Sequence, residues 1–431
     1  MKYLRYILTN ICRLTLAVTF IMSGYVKAVD PLGTQYKIND YLAALSLADL
    51  MPEWLTLVCA TALPAIEFSL GMCMLFAIRR RLTSKIVMLL MTVMTAITLW
   101  IFIADPVKDC GCFGDALTLT NGETLVKNII LTACAAVVTM APLRMPRLIS
   151  ENNQWIVVNY TLIFILITSI VSLYTLPQFD FRPYHTGADI RKGMEIPEGA
   201  EQPEFETTFV MRKDGTTREF TIENYPDSTW EFVDSHTIQT KKGYEPPIHD
   251  FSIVLNKTGE DITGSVLSDP GYTFLLIAPH LENADDSNFG NIDRIYEYAQ
   301  DHDVPFYCLT ASSDRGIRRW QDITGAEYDF CTTDETTLKT MIRSNPGLML
   351  IKNGVIIRKW SHNDLPEDEQ LTGSLDKIEI GQLPDDSTIG KILKIILWFV
   401  LPLTLLTIAD RTWAWTKWIR KRKNIKPQTK E

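Results

Sequence analysis

Two cysteines one residue apart are the first feature of the sequence that could carry chemistry. Cys110 and Cys112 lie in the string Asp109-Cys110-Gly111-Cys112-Phe113-Gly114-Asp115. Gly111 relaxes the backbone so that the two sulfurs can meet, and a disulfide ring this small is strained and therefore oxidising. The pair is predicted to do thiol–disulfide chemistry. A metal clip or an inert turn disulfide is the alternative, and no metal is expected because no histidine or second cysteine pair lies near.

Lysines surround this pair in the sequence. Lys27, Lys108 and Lys127 all fall near the same end of the predicted membrane spans. A nearby cation favours the thiolate, which is the reactive form of cysteine. We therefore predict Cys110 and Cys112 as the catalytic dithiol, with Lys27 and Lys127 stabilising either the thiolate or a bound quinone.

Two charges lie inside apolar segments. Arg13 and Glu67 fall within the first and second predicted spans, where an ionisable residue is by default a candidate functional site. Counted from the outer ends of their helices, their depths agree within about 3 Å at the helical rise per residue. The sequence thus predicts an Arg13–Glu67 ion pair, which could be a structural clamp or part of a quinone site or proton path.

The elements that must position these residues are membrane spans, each requiring about 20 mostly apolar residues. Six segments qualify: 5–27, 55–78, 84–104, 125–143, 155–176 and 389–409. The first is predicted to be a retained span because Arg13 lies inside it and no small-residue cleavage site follows it. Four cysteines within the spans are predicted to be small packing residues: Cys12, Cys59, Cys73 and Cys134.

Basic clusters predict the orientation of the spans in a cytoplasmic (inner) membrane. They lie at Arg79-Arg80-Arg81, at Arg144 and Arg147, and in the tail after residue 410. All fall on one side if both termini are cytoplasmic, as the positive-inside rule requires. Residues 177–388 are then periplasmic.

The segment between the fifth and sixth spans is polar and turn-rich. The net charge of −9 belongs mainly to this part, so it gives no reason to expect nucleic-acid binding. We expect a four-span bundle followed by linkers and a fifth span, a β-rich extension, an α/β domain, and a sixth span with a basic tail: 1–144, 145–178, 179–245, 246–388 and 389–431.

Periodicity predicts the elements of the soluble part. Lys213-Asp214-Gly215 is a hairpin turn signal between alternating runs. Beyond it, strands are predicted at Tyr272–Ala278 and 304–309, and a strand–turn–strand unit follows Pro346. Helices are predicted at 289–302, Asp314–Thr324 and 336–342.

The N-terminal part resembles the MauE/DoxX family over about residues 5–143. The resemblance rests on the following residues: Arg13, Ser23-Gly24, Lys27, Asp30-Pro31, Ile66-Glu67 and Cys110-Gly111-Cys112-Phe113-Gly114. That family comprises redox-associated four-helix membrane proteins, similar in plan to the quinone-linked oxidoreductases of the vitamin K epoxide reductase type. The resemblance implies a redox role with a quinone as the possible electron carrier.

Residues of about 245–362 resemble a thioredoxin-like domain, in which Pro346 would be the cis-proline before a strand. The usual Cys-x-x-Cys is replaced by His280-Leu281-Glu282-Asn283, so this domain cannot run the thioredoxin reaction. We predict His280 to be a surface loop residue. Cys308 and Cys331 could form a structural disulfide, or they could be two separate thiols.

Two functions follow as hypotheses. The first is a membrane enzyme that passes electrons from periplasmic protein thiols through Cys110 and Cys112 to a quinone. The second is a binding or assembly module, whose redox-dead thioredoxin-like domain docks a partner protein while the spans anchor it. Solute transport is disfavoured because no inverted repeat or broken span pair is evident.

Overall fold

The protein is described from a computed structural model. The described residues are 2–107, 110–201, 204–213, 216–221, 224, 230–241, 243–385 and 388–424. They form a helical membrane part and an α/β soluble part, and the sixth apolar helix follows the soluble part.

Six helices in the described residues are long and apolar enough to cross a membrane, which confirms the six predicted spans. Five are continuous, and the sixth comprises α12, a π-helical turn at Ile396–Val400, and α13. Their bounds are α1 (Lys2–Val29), α3 (Glu53–Phe76), α4 (Arg80–Ala104), α5 (Asn121–Met140), α6 (Gln154–Tyr174), α12 (Thr388–Ile395) and α13 (Leu401–Asn424).

Glycines allow α1 and α3 to touch backbone to backbone. A Cβ atom added to Gly24 would lie 2.5 Å from the amide nitrogen of Phe68, and one added to Gly71 would lie 2.8 Å from that of Ile21. Small residues at such crossings are the usual means of tight helix packing in membranes. This contact fixes which faces of α1 and α3 meet, and so which polar residues meet.

A further helix, α2 (Pro31–Ala44), lies in the connection between α1 and α3. Pro31 takes the first helical position, and Asp30 caps the helix by accepting a hydrogen bond from the Gly33 amide at 2.9 Å. Both are favoured at helix starts. Gln35 on α2 donates to the carbonyl of Glu53 at 3.0 Å, so α2 packs beside the first turn of α3.

The soluble part contains a six-stranded sheet in the order β4-β7-β6-β5-β8-β9. Strands β5, β6 and β7 are parallel, β8 pairs antiparallel with β5, and β9 pairs antiparallel with β8. This order is that of a thioredoxin-like fold, with β4 and β7 added at one edge. The strand bounds are β4 (Val254–Leu255), β5 (Tyr272–Ala278), β6 (Phe306–Thr310), β7 (Asp329–Thr332), β8 (Gly347–Lys352) and β9 (Val355–Ser361).

Helices pack on both faces of this sheet, and all but the first of them connect its strands. They are α7 (Ile190–Met194), α8 (Thr263–Ser268), α9 (Phe289–Asp301), α10 (Asp314–Thr324) and α11 (Glu335–Met341). Strand β5 lies in the interior of the sheet, and six of its seven residues are buried. A strand that is covered on both faces is apolar throughout. The predicted strands and helices of this region are confirmed, with ends that differ by one or two residues.

A separate antiparallel sheet precedes this domain, in the order β2-β1-β3. Its strands are β1 (Glu204–Lys213), β2 (Thr216–Thr221) and β3 (Glu231–Lys241). Strands β1 and β2 form the predicted hairpin, with Lys213 paired to Thr216. Asp214 and Gly215, at the predicted turn, lie outside the described residues.

Candidate functional site

The candidate site is the cysteine loop between α4 and α5. The sulfurs of Cys110 and Cys112 lie 3.0 Å apart, and both are free thiols. Gly111 adopts φ 63° and packs against Lys37 on α2, whose Cγ would lie 3.1 Å from an added Cβ. A left-handed conformation with little room for a side chain strongly favours glycine. Gly111 thus brings the two thiols together.

Hydroxyl groups hold the loop on either side of the sulfurs. Tyr41 on α2 donates a hydrogen bond to the carbonyl of Cys110 at 2.6 Å. The oxygen of Ser23 on α1 lies 2.8 Å from both the Cys112 carbonyl and a Glu67 carboxylate oxygen, so its one proton serves either acceptor. Neither hydroxyl was identified as a site residue from the sequence.

The two thiols differ in acidity. The hydrogen bond from Cys110 and the nearby charges of Lys127 and Lys27 lower the pKa of Cys112 to about 6, although burial and Glu67 oppose this change. The same hydrogen bond, together with burial, raises the pKa of Cys110. One proton shared between two thiols stabilises a single thiolate. Cys112 is therefore the reactive sulfur of the reduced pair.

Two of the predicted lysines, Lys27 and Lys127, line the same cavity as Cys112. The ammonium of Lys127 lies 4.5 Å from the ring centroid of Phe113, the residue after Cys112. Lys27 is buried, with a side chain 8% exposed. Lys108, which the sequence placed in the same group, lies outside the described residues.

The predicted Arg13–Glu67 ion pair is wrong. Glu67 pairs with Lys27, whose ammonium donates to both carboxylate oxygens at 2.9 Å. Arg13 instead donates to the carbonyl of Pro146 at 3.1 Å, beyond the opposite end of α5. The prediction aligned the ends of α1 and α3, whereas the first turn of α3 packs beside α2, so α3 extends past the end of α1.

Arg13 therefore stands apart from the cysteine loop. Its side chain is buried, and its Nε finds no hydrogen-bond partner among the residues that the structure describes. The bond to Pro146 ties α1 to the connection between α5 and α6. Of its two predicted roles, the structure favours the structural clamp, because Arg13 is on the helix end remote from Lys27.

A small cavity of about 50 Å³ opens beside the reactive cysteine. Cys112, Lys27 and Glu67 line it, and Cys110 does not. Next to it lies a wide groove of about 760 Å³ between α1, α4 and α5, which shares Thr19, Lys127 and Leu131 with the cavity. The rest of the groove is mostly apolar and is formed by Thr15, Phe102, Gly122, Glu123, Leu125, Val126 and Ile130. Cys112 therefore adjoins an apolar groove in the bundle wall.

The soluble domain is fastened to this end of the bundle by Arg343, in the connection between α11 and β8. Its guanidinium pairs with Asp30 at 2.9 Å and with Asp115 at 3.2 Å. It also lies over the ring of Tyr36 on α2, at 5.2 Å from the centroid. No pattern in the sequence predicts this contact, because Asp30 and Asp115 each lie more than 200 positions from Arg343.

The soluble domain has no thiol where a thioredoxin-like protein carries its motif. His280 follows β5, and its Nε2 lies 2.9 Å from a carboxylate oxygen of Glu335. Its imidazole is 40% exposed, in agreement with a surface loop residue. Asn345 donates to the carbonyl of His280 at 2.8 Å, and the bond between Asn345 and Pro346 is cis.

Cys308 and Cys331 do not form the disulfide considered from the sequence. Both are buried free thiols on the neighbouring strands β6 and β7, but Cys331 pairs in register with Leu309, the residue after Cys308. Because side chains alternate along a strand, the two sulfurs point to opposite faces of the sheet. They lie in the two separate hydrophobic cores, as two unconnected thiols.

Fold and site together define a multi-pass membrane protein with a cysteine pair at the end of its bundle and a thioredoxin-like domain docked beside it. The family model "Methylamine utilisation protein MauE" matches residues 5–141, which confirms the predicted resemblance of this N-terminal region to the MauE family. Residues 205–242 match a domain of unknown function (DUF8463).

Further comparisons give little more. No curated protein matches the chain. The chain is similar to a solution structure of a candidate protein disulfide isomerase from Bacteroides thetaiotaomicron, at 17% identity and a TM-score of 0.23. That match covers 28% of this chain and 78% of the other. At this TM-score the likeness carries no weight for function.

Proposed function

We propose that the protein is a membrane thiol–disulfide oxidoreductase that passes electrons from protein thiols through Cys110 and Cys112 to a membrane quinone. The observation that carries this proposal is the pair of sulfurs at 3.0 Å, one of them with its pKa lowered to about 6, beside a groove in the bundle wall. A dithiol that is merely structural needs neither a stabilised thiolate nor access to the lipid.

The unequal acidities assign separate tasks to the two cysteines. In the oxidised protein a client thiolate attacks one sulfur of the disulfide, and the thiol of lower pKa is the better leaving group. The client therefore attacks Cys110 and forms a mixed disulfide with it, while Cys112 leaves as thiolate. The second client thiol attacks the client sulfur of the mixed disulfide. This releases an oxidised client and the reduced Cys110–Cys112 pair.

Reoxidation of the pair needs a two-electron acceptor. A quinone takes up two electrons from the pair, one proton from the Cys110 thiol and a second proton from water, so that a quinol and the Cys110–Cys112 disulfide result. Cys112 lines the cavity that adjoins the groove, and it already carries the thiolate. In this scheme Cys110 faces the client and Cys112 faces the quinone.

The groove beside Cys112 has the chemistry that a quinone requires. Phe102 and Val126 contribute apolar walls for a ring and a hydrocarbon tail, and Lys127 places a cation where the groove adjoins the cavity. Ligand sites are commonly apolar with a few polar groups that fix orientation. Lys127 would stabilise the negative charge that develops on a quinone oxygen during reduction.

The orientation belongs to the same proposal. The basic clusters between the spans and after the last span support an orientation with both termini in the cytoplasm. The dithiol and the soluble domain then face the periplasm, where thiol oxidation of secreted proteins takes place. The client is a periplasmic thiol protein.

A binding module is the second candidate function, favoured by the soluble domain itself. This domain keeps a full core and the cis-proline but has no cysteine pair after β5. It would recognise a partner without reacting with it. The two candidates differ in one respect: the enzyme requires the dithiol to cycle, whereas the module does not.

Thiol trapping in membranes tests the proposal. Membranes that contain or lack quinone are treated with a reductant, the reductant is removed, and free thiols are alkylated and counted by mass spectrometry. Oxidation of Cys110 and Cys112 should recover only with quinone present. Cys110→Ser and Cys112→Ser should each abolish turnover, and Cys73→Ser, which removes a cysteine within α3, should leave it nearly intact. A double serine variant that still sustains activity favours the binding module.

A further inference from the structure

Arg343 reaches out of the soluble domain into the membrane part. Its side chain is 7% exposed although it crosses between two parts of the protein. The Nε donates to both oxygens of Asp30, at 2.9 and 3.1 Å, while Nη2 donates to Asp115 at 3.2 Å. Nη1 donates to the carbonyl of Lys339 within its own domain. One guanidinium therefore bridges two carboxylates.

Both carboxylates belong to segments that hold the dithiol. Asp115 lies three residues after Cys112, in a short 3₁₀ turn within the cysteine loop. Asp30 caps α2, and α2 supports the other side of the loop. That support consists of the Tyr41 bond to Cys110 and the packing of Lys37 against Gly111.

We propose that Arg343 is a positioning residue for the dithiol, which clamps the cysteine loop against α2 and so keeps Cys112 beside the cations that make it reactive. This inference rests on the proposed function for its importance, since it describes how the same site is assembled. It gives the thioredoxin-like domain, which has no cysteine pair after β5, a role: the domain supplies the clamp.

The electrostatics show what the clamp opposes. Burial raises the pKa of the Asp115 carboxyl, Arg343 counteracts that rise, and the neighbouring Asp30 adds to it. Without the guanidinium, the two partly buried carboxylates would repel each other, and of the described cations near Asp115 only Arg182 and Lys37 would still favour its charged form. The cysteine loop would therefore separate from α2. A lysine in place of Arg343 keeps the charge but lacks the planar fork that binds two carboxylates at once.

The test is the pH dependence of Cys112 alkylation in the reduced full-length protein, in lipid nanodiscs without quinone. Arg343→Gln should raise the apparent pKa of Cys112. A rise of about one unit would lower the thiolate fraction at pH 6 about fivefold, and the alkylation rate with it. Arg343→Lys should fall between Arg343→Gln and the wild type. The control is Arg358→Gln, which removes a pair between Arg358 and the exposed Glu379 and should stay within about twofold of wild type.

Asp115→Asn provides a second route, because it frees one anchor of the clamp while Arg343 keeps its bond to Asp30. It should shift the pH dependence of Cys112 alkylation in the same direction. This variant also tests the inference if Arg343→Gln fails to fold. Folded Arg343→Gln or Asp115→Asn protein that titrates like wild type would overturn the inference. The titration uses neither client nor quinone. If quinone failed to oxidise the wild-type dithiol, the proposed function would fall while a measured Arg343 effect would stand.

Discussion

The Lys27–Glu67 pair allows stability and thiol reactivity to be separated. Both side chains are buried, at 8% and 6% exposure, and two hydrogen bonds of 2.9 Å join them. Removing one partner of such a pair strands the other charge and costs about 3–5 kcal/mol. Glu67→Gln and Lys27→Gln should therefore destabilise the protein by similar amounts. The control Glu53→Gln changes an exposed residue in the first turn of α3 and should cost at most about 1 kcal/mol.

The same two variants should change Cys112 in opposite directions. Glu67 opposes the low pKa of Cys112, whereas Lys27 contributes to it. Glu67→Gln should lower the pKa further and increase the alkylation rate below pH 6, and Lys27→Gln should raise the pKa and decrease that rate. Unfolding in mixed micelles gives the free energy, and alkylation with a fluorescent maleimide gives the pKa. The reasoning is refuted if Glu67→Gln costs no more than Glu53→Gln, or if both variants move the pKa the same way.

Three further predictions concern other parts of the chain. The alkylation rate of wild-type Cys112 should rise with pH, because the thiolate is the nucleophile, and should be half-maximal near pH 6; a midpoint near the ordinary thiol value would contradict the assigned environment. Mass spectrometry of the oxidised protein should find no disulfide between Cys308 and Cys331, since their sulfurs point to opposite sheet faces. A reporter fused after Thr240 should be periplasmic and one at Glu431 cytoplasmic, and finding both on one side would exclude the proposed orientation.

Much of the architecture follows from patterns that are local in the sequence. A span needs only a run of apolar residues, and a buried strand such as β5 needs only a short one between turn signals. The cysteine pair and its glycine are also local, and so their closeness could be predicted. Each of these features is decided within about 25 residues or fewer.

The contacts that assemble the site are not local. The depth argument for Arg13 and Glu67 assumed that the spans end at a common level, but α2 shifts the start of α3 beyond the end of α1. Asp30 and Pro31 carry a helix-start signal that could have predicted α2. The ion pair between Arg343 and Asp115 has no local sequence signal, because it depends on how the soluble part packs against the membrane part.

Cys308 and Cys331 illustrate a third limit. Cys308 lies in a strand that the sequence predicts, and Cys331 lies on the neighbouring strand β7. Register decides the rest, since a shift of one residue moves a side chain to the other face. The pairing of β6 with β7 could not be read to that accuracy from the sequence.

The central claim is that the dithiol reduces a quinone, and direct electron transfer tests it most simply. Purified, reduced full-length protein in lipid nanodiscs would be mixed with a short-chain quinone, with quinol followed by absorbance and the Cys110–Cys112 disulfide by mass spectrometry. The account predicts one quinol for each disulfide formed, and no quinol from the Cys112→Ser variant. Thiols that stay reduced in the presence of quinone, or quinol that forms equally well in Cys112→Ser, would contradict it.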